Sequence, residues 1–316
     1  MYELFYGLLG ACRHGDVETC LGDWVEKVCR RDVVLGDGGI VGGAVAKTLL
    51  AAGHAVTVVT RSASKAAQWQ QKGAQTAVLD LHDTEALSGV FKRATRAFLL
   101  NPPAMVASNT DVVERLSVSA ILAALRGVAL EKIVVQSTYG SQAGKHSAGL
   151  GGLYEFEHGA QQLGIPLCCV RAAYYLSNWC GAWPQVQATG VLTSLLPAAE
   201  PVPMVAPEDV GQFAAHLLAA PVAEVGVYAI EGPQRYSPFE VSQVMGRIMG
   251  RTVCVEVIPP EQWQAYYRQN GFSEQAARSY ATMTDIFVNK RYVQPKAPYK
   301  GATALEPYMH RVLAAV

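Results

Sequence analysis

DVVLGDGGIVGGAVAKTLL, residues 32–50, opens on a short β-branched run, breaks at glycine and continues as a helical stretch with an apolar face. Gly36, Gly39 and Gly42 fall at three-residue steps between the two. Each has a mechanical use: Gly36 permits a tight turn off a strand, Gly39 lets the backbone approach a pyrophosphate with no Cβ in the way, and Gly42 lets the helix pack on the sheet. The amides around Gly38, Ile40 and Val41 then face an anion, where the helix dipole favours negative charge. A glycine pattern alone is weak, but strand, turn and helix stand here in the order that dinucleotide binding requires. The competing reading is a purely structural glycine turn.

Outward from this turn, strand and helix signals alternate. AVTVVT at 55–60 is a second buried strand, followed by a polar helix over 64–72. A third strand at 77–81, a helix at 84–93 and a fourth strand at 97–100 follow, the last closed by Asn101-Pro102-Pro103. Then come a helix at 111–125, the strand KIVVQS at 132–137, a helix at 154–163 and a sixth strand at 166–171. Near-continuous apolar strands alternating with helices predict an α/β fold, a doubly wound parallel sheet of the Rossmann type. Farther on, the proline-rich stretch 197–207 reads as a loop. Helices at 208–219, 238–249, 261–271 and 274–287 and strands at 227–231 and 253–258 complete the sheet and build a smaller C-terminal α/β substrate lobe. The expected division is an extension at 1–31, a cofactor-binding core at 32–171, and the sheet's completion with the smaller lobe at 172–316.

Composition narrows the function. Of 316 residues half are hydrophobic, and 26 basic side chains cancel 26 acidic ones, so no global field holds nucleic acid or an anionic membrane. No apolar run reaches the roughly 18 to 20 residues that span a bilayer, and no signal peptide is legible, so a cytoplasmic location is expected. The seven cysteines lack paired spacing, and Cys12, His14, Cys20 and Cys29 match no zinc pattern, so free thiols and no metal are expected.

The end of the second strand bears on the cofactor. An NAD site usually carries an acid there, to accept from the ribose hydroxyls. Here the run is Thr60-Arg61-Ser62-Ala63-Ser64-Lys65, with two cations that can hold a 2′-phosphate and no acid to repel it. NADP(H) is therefore expected over NAD(H), unless Arg61 and Lys65 are merely solvated cations at a helix start. Asp80 and Leu81 end the third predicted strand, where Asp80 either accepts from the adenine amino group or caps the next helix. Asn101, Pro102 and Ser137, at the ends of the fourth and fifth strands, complete the expected cofactor set.

The glycine turn, TRSASK after the second strand, DLHD after the third, LLNPP after the fourth, GIPLCCVRAAYYLSNW around the sixth and VYAIEGPQRYSPFEV beyond together resemble the NmrA-like atypical short-chain dehydrogenases. The similarity covers roughly residues 32–290, and departs where GDGGIVG stands for the family's usual GATGxxG. It implies a Rossmann domain and NADP(H). Turnover is not implied, because the family holds both quinone and isoflavone-type reductases and a non-catalytic nucleotide sensor. Short-chain dehydrogenases donate a proton from a Tyr made acidic by a Lys four residues on, beside a Ser. Here Ser137 and Tyr154 are the candidates, but His158 replaces the lysine and, largely neutral, supplies little field. A quinone needs less help, since its charge is delocalised and water can supply the proton. The expectation is therefore an NADP(H)-dependent reductase passing hydride to a quinone or small conjugated carbonyl in an aromatic slot of Tyr139, Tyr174, Tyr175, Asn178 and Trp179. The alternative is a redox sensor acting through a protein partner.

Overall fold

Val34 turns to one side of the sheet and Val33 and Leu35 to the other, and all three are buried, so the first strand reads as an unbroken apolar run. The computed structural model describes residues 30–36, 39–143 and 148–314. The first half alternates without exception: β1 (Arg31–Leu35), α1 (Ile40–Ala51), β2 (Ala55–Thr60), α2 (Ala63–Gln71), β3 (Gln75–Val78), α3 (Thr84–Phe91), β4 (Arg96–Leu99), α4 (Thr110–Leu125), β5 (Lys132–Thr138), α5 (Ala148–Gln161) and β6 (Leu167–Ala172). Two short elements, β7 (Tyr174–Tyr175) and α6 (Trp183–Thr189), flank a 3-10 turn, and β8 (Val191–Ser194) and β9 (Val202–Val205) follow. The chain then runs through α7 (Pro207–Ala219), β10 (Gly226–Glu231), β11 (Arg235–Tyr236), α8 (Pro238–Met249), β12 (Cys254–Val257), α9 (Trp263–Gln269), α10 (Glu274–Val288), β13 (Tyr299–Lys300) and α11 (Leu305–Leu313).

Eight strands form one parallel sheet in the order β13-β10-β6-β5-β4-β1-β2-β3. The chain moves outward one way from β1 to β3, then returns to β4 on the other side, and that reversal opens a crevice at the carboxyl ends of β1 and β4. Helices α1 and α7 cover one face through Val41, Val45, Leu49, Val210 and Leu217. Helices α3, α4 and α5 cover the other through Leu87, Phe91, Ile121 and Phe156. A third core, around Trp179, Trp183, Met204, Met245 and Tyr308, belongs to the smaller lobe.

Below the sheet, cations meet the end of α7. Arg96 donates to the Leu218 and Ala220 carbonyls at 2.8 and 2.7 Å, and Lys132 to Pro221 at 3.0 Å, where the last carbonyls of a helix concentrate negative charge. Helix α7 is thereby fixed under α1, and contact is so close that a Cβ on Gly211 would lie 2.5 Å from both the Val41 carbonyl oxygen and the Ala44 Cβ. Gly211→Ala gains about 1 kcal/mol of helix propensity, yet its methyl meets backbone that cannot yield. We expect a net loss of about 1 to 3 kcal/mol in urea denaturation. A stabilised variant would show that the two helices slide apart freely.

Differences from the expected elements have local causes. The third strand ends at Val78, which frees Leu79, Asp80 and Leu81 as a loop. The stretch 197–207 contains β9, the middle strand of a small β11-β9-β7 sheet, and its ladders are only two pairs long, which accommodates Pro203. Helix α5 begins at Ala148, ahead of the expected start, and a glycine in the added turn serves packing: a Cβ on Gly149 would come 3.0 Å from Met283 Sδ of α10. The extension through residue 29, with Cys12, Cys20 and Cys29, lies outside the described residues, as does Gly38. Cys168, Cys169, Cys180 and Cys254 are free thiols, and no group of metal ligands occurs among the described residues. No helix among them is long and apolar enough to cross a membrane.

Candidate functional site

The turn after β1 has the geometry its glycines suggest. Gly36 sits at φ +93°, in the left-handed region that glycine favours, and its carbonyl accepts the Gly39 amide at 3.2 Å. A Cβ on Gly42 would lie 2.3 Å from that same oxygen, so Gly42 lets the helix start directly on the turn. Gly39 begins α1 without any side-chain cap, and no acid occupies the first turn. The helix start thus keeps its amides and positive dipole end for an outside anion.

A cleft of about 700 Å³ opens over this turn. Gly36, Gly39, Ile40, Val41, Arg61, Lys65, Leu81, Asn101, Pro102 and Tyr175 all line it. Strand β2 delivers the cationic end: Thr60 Oγ1 accepts the Ser62 amide at 3.0 Å, and Ser62 Oγ caps α2 by accepting the Lys65 amide at 3.3 Å. Neither the Arg61 nor the Lys65 side chain has an ion-pair partner among the described residues. A buried Asn101 Oδ1 has no hydrogen-bond partner, an acceptor left for a hydroxyl or amino group of whatever fills the cleft. An open glycine cradle, two free cations and an orphaned acceptor fit a phosphorylated dinucleotide.

Other expected residues stand elsewhere. Asp80 is exposed and accepts the His82 amide at 2.9 Å, capping the turn ahead of α3. Ser137 is fully buried on the face away from the cleft, its hydroxyl without a partner, because alternation along β5 hands the cleft to Gln136 instead. Gln136 Nε2 donates to the Tyr175 hydroxyl at 2.5 Å. Tyr154 is likewise one position out of phase: Leu153 faces the cleft, while Tyr154 stacks on His158, ring centroids 6.2 Å apart, in a separate groove with Glu157 and Arg171. Arg171 and Glu157 are bidentate there at 2.9 and 2.6 Å.

Of the five aromatic-slot residues, only Tyr175 lines the cleft. Burial drives its hydroxyl, and that of Tyr174, well above the ordinary phenol range. Tyr174 packs between Trp179 and Phe287, at 5.8 and 5.7 Å, and Trp179 Nε1 donates to Met204 Sδ at 3.4 Å inside the smaller lobe's core. Tyr139 is buried against Tyr292, and Asn178 is exposed. Sequence reading missed Ser62, Pro103, Glu114, Gln136, Leu153 and Ser177. Glu114 carried a signal: it lies in phase with Thr110, Val118, Ile121 and Leu125, the inward stripe of α4, where an acid is anomalous.

Known proteins resemble this chain in sequence and in fold. An NAD(P)H azoreductase of Xenophilus azovorans is 25% identical over 247 residues, 78% of this chain and 83% of that protein. A (4-alkanoyl-5-oxo-2,5-dihydrofuran-3-yl)methyl phosphate reductase of Streptomyces griseus subsp. griseus is 30% identical over 102 residues, and the match spans 36% of its length and 32% of this chain. Among solved structures, triphenylmethane reductase of Citrobacter sp. superposes with a TM-score of 0.74 at 17% identity, over 90% of this chain and 99% of that one. The NADPH complex of a quinone oxidoreductase from Escherichia coli gives 0.74 at 16% identity, with the same coverage. Those two likenesses establish the fold. The sequence profile of one family matches residues 31–314, the whole sheet and the smaller lobe together, and by that match the chain belongs to the NmrA-like family.

Proposed function

We propose that this protein is an NADP(H)-dependent reductase that passes hydride to a quinone or a small conjugated carbonyl. The observation that carries this reading is the single cleft that joins unpaired Arg61 and Lys65, the glycine turn and an apolar end at Leu153 and Tyr175. Bound there, a nicotinamide supplies the hydride. The chain's own residues bind and orient: Arg61 and Lys65 hold the 2′-phosphate, the α1 amides the pyrophosphate, and Asn101 accepts from a ribose or amide group. Leu153, Pro102 and Pro103 exclude water from the reacting face, and Gln136 fixes the Tyr175 ring as one wall of the acceptor slot. The reductase names of the Xenophilus and Streptomyces relatives support the same chemistry.

One observation favours a second reading, a sensor without turnover: no tyrosine–lysine pair faces the cleft among the described residues, since Tyr154 stacks on His158 outside it. Tyr154→Phe separates the possibilities. In the reductase reading the change leaves single-turnover oxidation of bound NADPH within about twofold of wild type, against the hundredfold or so that losing a positioned acid produces. A hundredfold loss at unchanged cofactor affinity would return Tyr154 to the chemistry. Oxidation by no quinone or enone in the wild type itself would leave the sensor.

A further inference from the structure

Glu114 hangs from the inward stripe of α4 into the cleft wall, beside Pro103 and Leu153. Its Oε1 accepts the Ala104 amide at 3.1 Å, which ties it to the loop after β4, while Oε2 accepts no hydrogen bond among the described residues. Among the described residues it has no ion-pair partner. Arg115, next on the helix, is held by Glu155 of α5 at 2.8 Å, and Asp111, three residues earlier, is engaged by Ser279 of α10 at 2.7 Å. Among the described residues Tyr280 of α10 is the remaining titratable neighbour, its hydroxyl pushed up to about 12, mainly by burial, with a smaller push from Glu114. Burial, reinforced by Asp111, raises the Glu114 carboxyl above its ordinary range against the opposing pulls of the Ala104 amide and Arg115.

Strand order tells where this acid lies relative to a bound cofactor. The strands run β2-β1-β4-β5-β6. A dinucleotide with its pyrophosphate on the turn after β1 and its adenosine phosphate at Arg61, after β2, sends its other half over β4 and β5. Glu114 is tethered to the loop after β4 and borne on α4, which packs against α5, the helix that follows β5. It therefore stands at the reacting end, opposite Arg61.

We infer that Glu114 is the proton donor of the reduction, an inference that rests on the reductase reading. A neutral quinone or enone takes two electrons as one hydride from the cofactor, and its oxygen, or the enolate carbon, takes one proton from the Glu114 carboxyl. The O–H bond of that carboxyl breaks, and bulk water reprotonates the carboxylate. The acid form is the active one, so the rate falls as pH rises through the raised pKa.

Single-turnover oxidation of bound NADPH by menadione and by a cyclic enone, followed across pH in wild type, Glu114→Gln and Glu114→Asp, tests this. A triarylmethyl cation, which needs hydride alone, is the contrasting acceptor. Glu114→Gln is expected to slow the neutral acceptors by about a hundredfold on the acid side and to flatten the pH profile, with NADPH affinity unchanged and the cation slowed less than threefold. Glu114→Asp restores part of the rate and the pH-dependent limb. Wild-type rates in Glu114→Gln, a retained limb, or a parallel fall with cation and neutral acceptors alike would overturn the assignment. Should the cation not react, the pH limb draws the same distinction. Wild-type protein that binds NADPH and reduces nothing would remove the reductase reading and this inference with it, an outcome distinct from the others.

Discussion

Gly39→Val is expected to abolish NADPH binding, raising Kd at least a hundredfold, while the protein keeps its far-ultraviolet circular dichroism and its unfolding midpoint within a few degrees. Gly39 has φ −109°, which any residue adopts, and among the described residues a Cβ built on it meets nothing nearer than the Gly36 carbonyl oxygen at 3.8 Å. The fold therefore tolerates a side chain there. The cleft does not, because the valine methyls occupy the space over the α1 amides that a pyrophosphate needs. Gly42 provides the contrast: a Cβ there lies 2.3 Å from the Gly36 oxygen, so its replacement strikes the turn itself and folding fails along with binding. Tight binding by Gly39→Val would mean that the phosphates rest elsewhere.

The wild type is expected to bind NADPH more tightly than NADH, and Arg61→Ala to narrow that difference, with Lys65 left to hold the 2′-phosphate. A charge-assisted contact with the 2′-phosphate contributes on the order of 1.5 to 3 kcal/mol. Solvent exposure of Arg61 holds the loss toward the lower figure, about tenfold in Kd for NADPH. NADH, without that phosphate, should bind both proteins alike. Fluorescence titration at two salt concentrations reads both effects, since the wild-type preference shrinks as salt screens the pair. Equal affinity of the wild type for the two cofactors would remove the role given to Arg61 and Lys65.

Much of this was legible in the sequence because it rests on local signals. The β1–α1 turn announces itself through glycines whose spacing follows from backbone geometry, and buried parallel strands are apolar throughout, so residues 55–60 stand out unaided. Phase within an element was harder. Ser137 and Tyr154 were placed one residue from Gln136 and Leu153, and one residue in a strand or helix turns a side chain to another face. The smaller lobe left the least trace. Its strands β7 and β11 are two residues long, and Tyr174 and Trp179, aromatics placed in a slot by their position after β6, fill the core of a lobe assembled from distant segments such as Met204 and Phe287. Glu114 was visible as an acid on an apolar stripe, but its meaning depends on the Ala104 loop and α5, which no local pattern supplies.

The central claim, that the cleft binds NADPH and passes its hydride onward, is tested most directly by mixing protein-bound NADPH with a quinone and following cofactor absorbance through one turnover. Oxidation much faster than that of free NADPH, and lost in Gly39→Val, is the predicted result. NADPH that binds tightly yet persists unoxidised before every quinone and enone offered would contradict it.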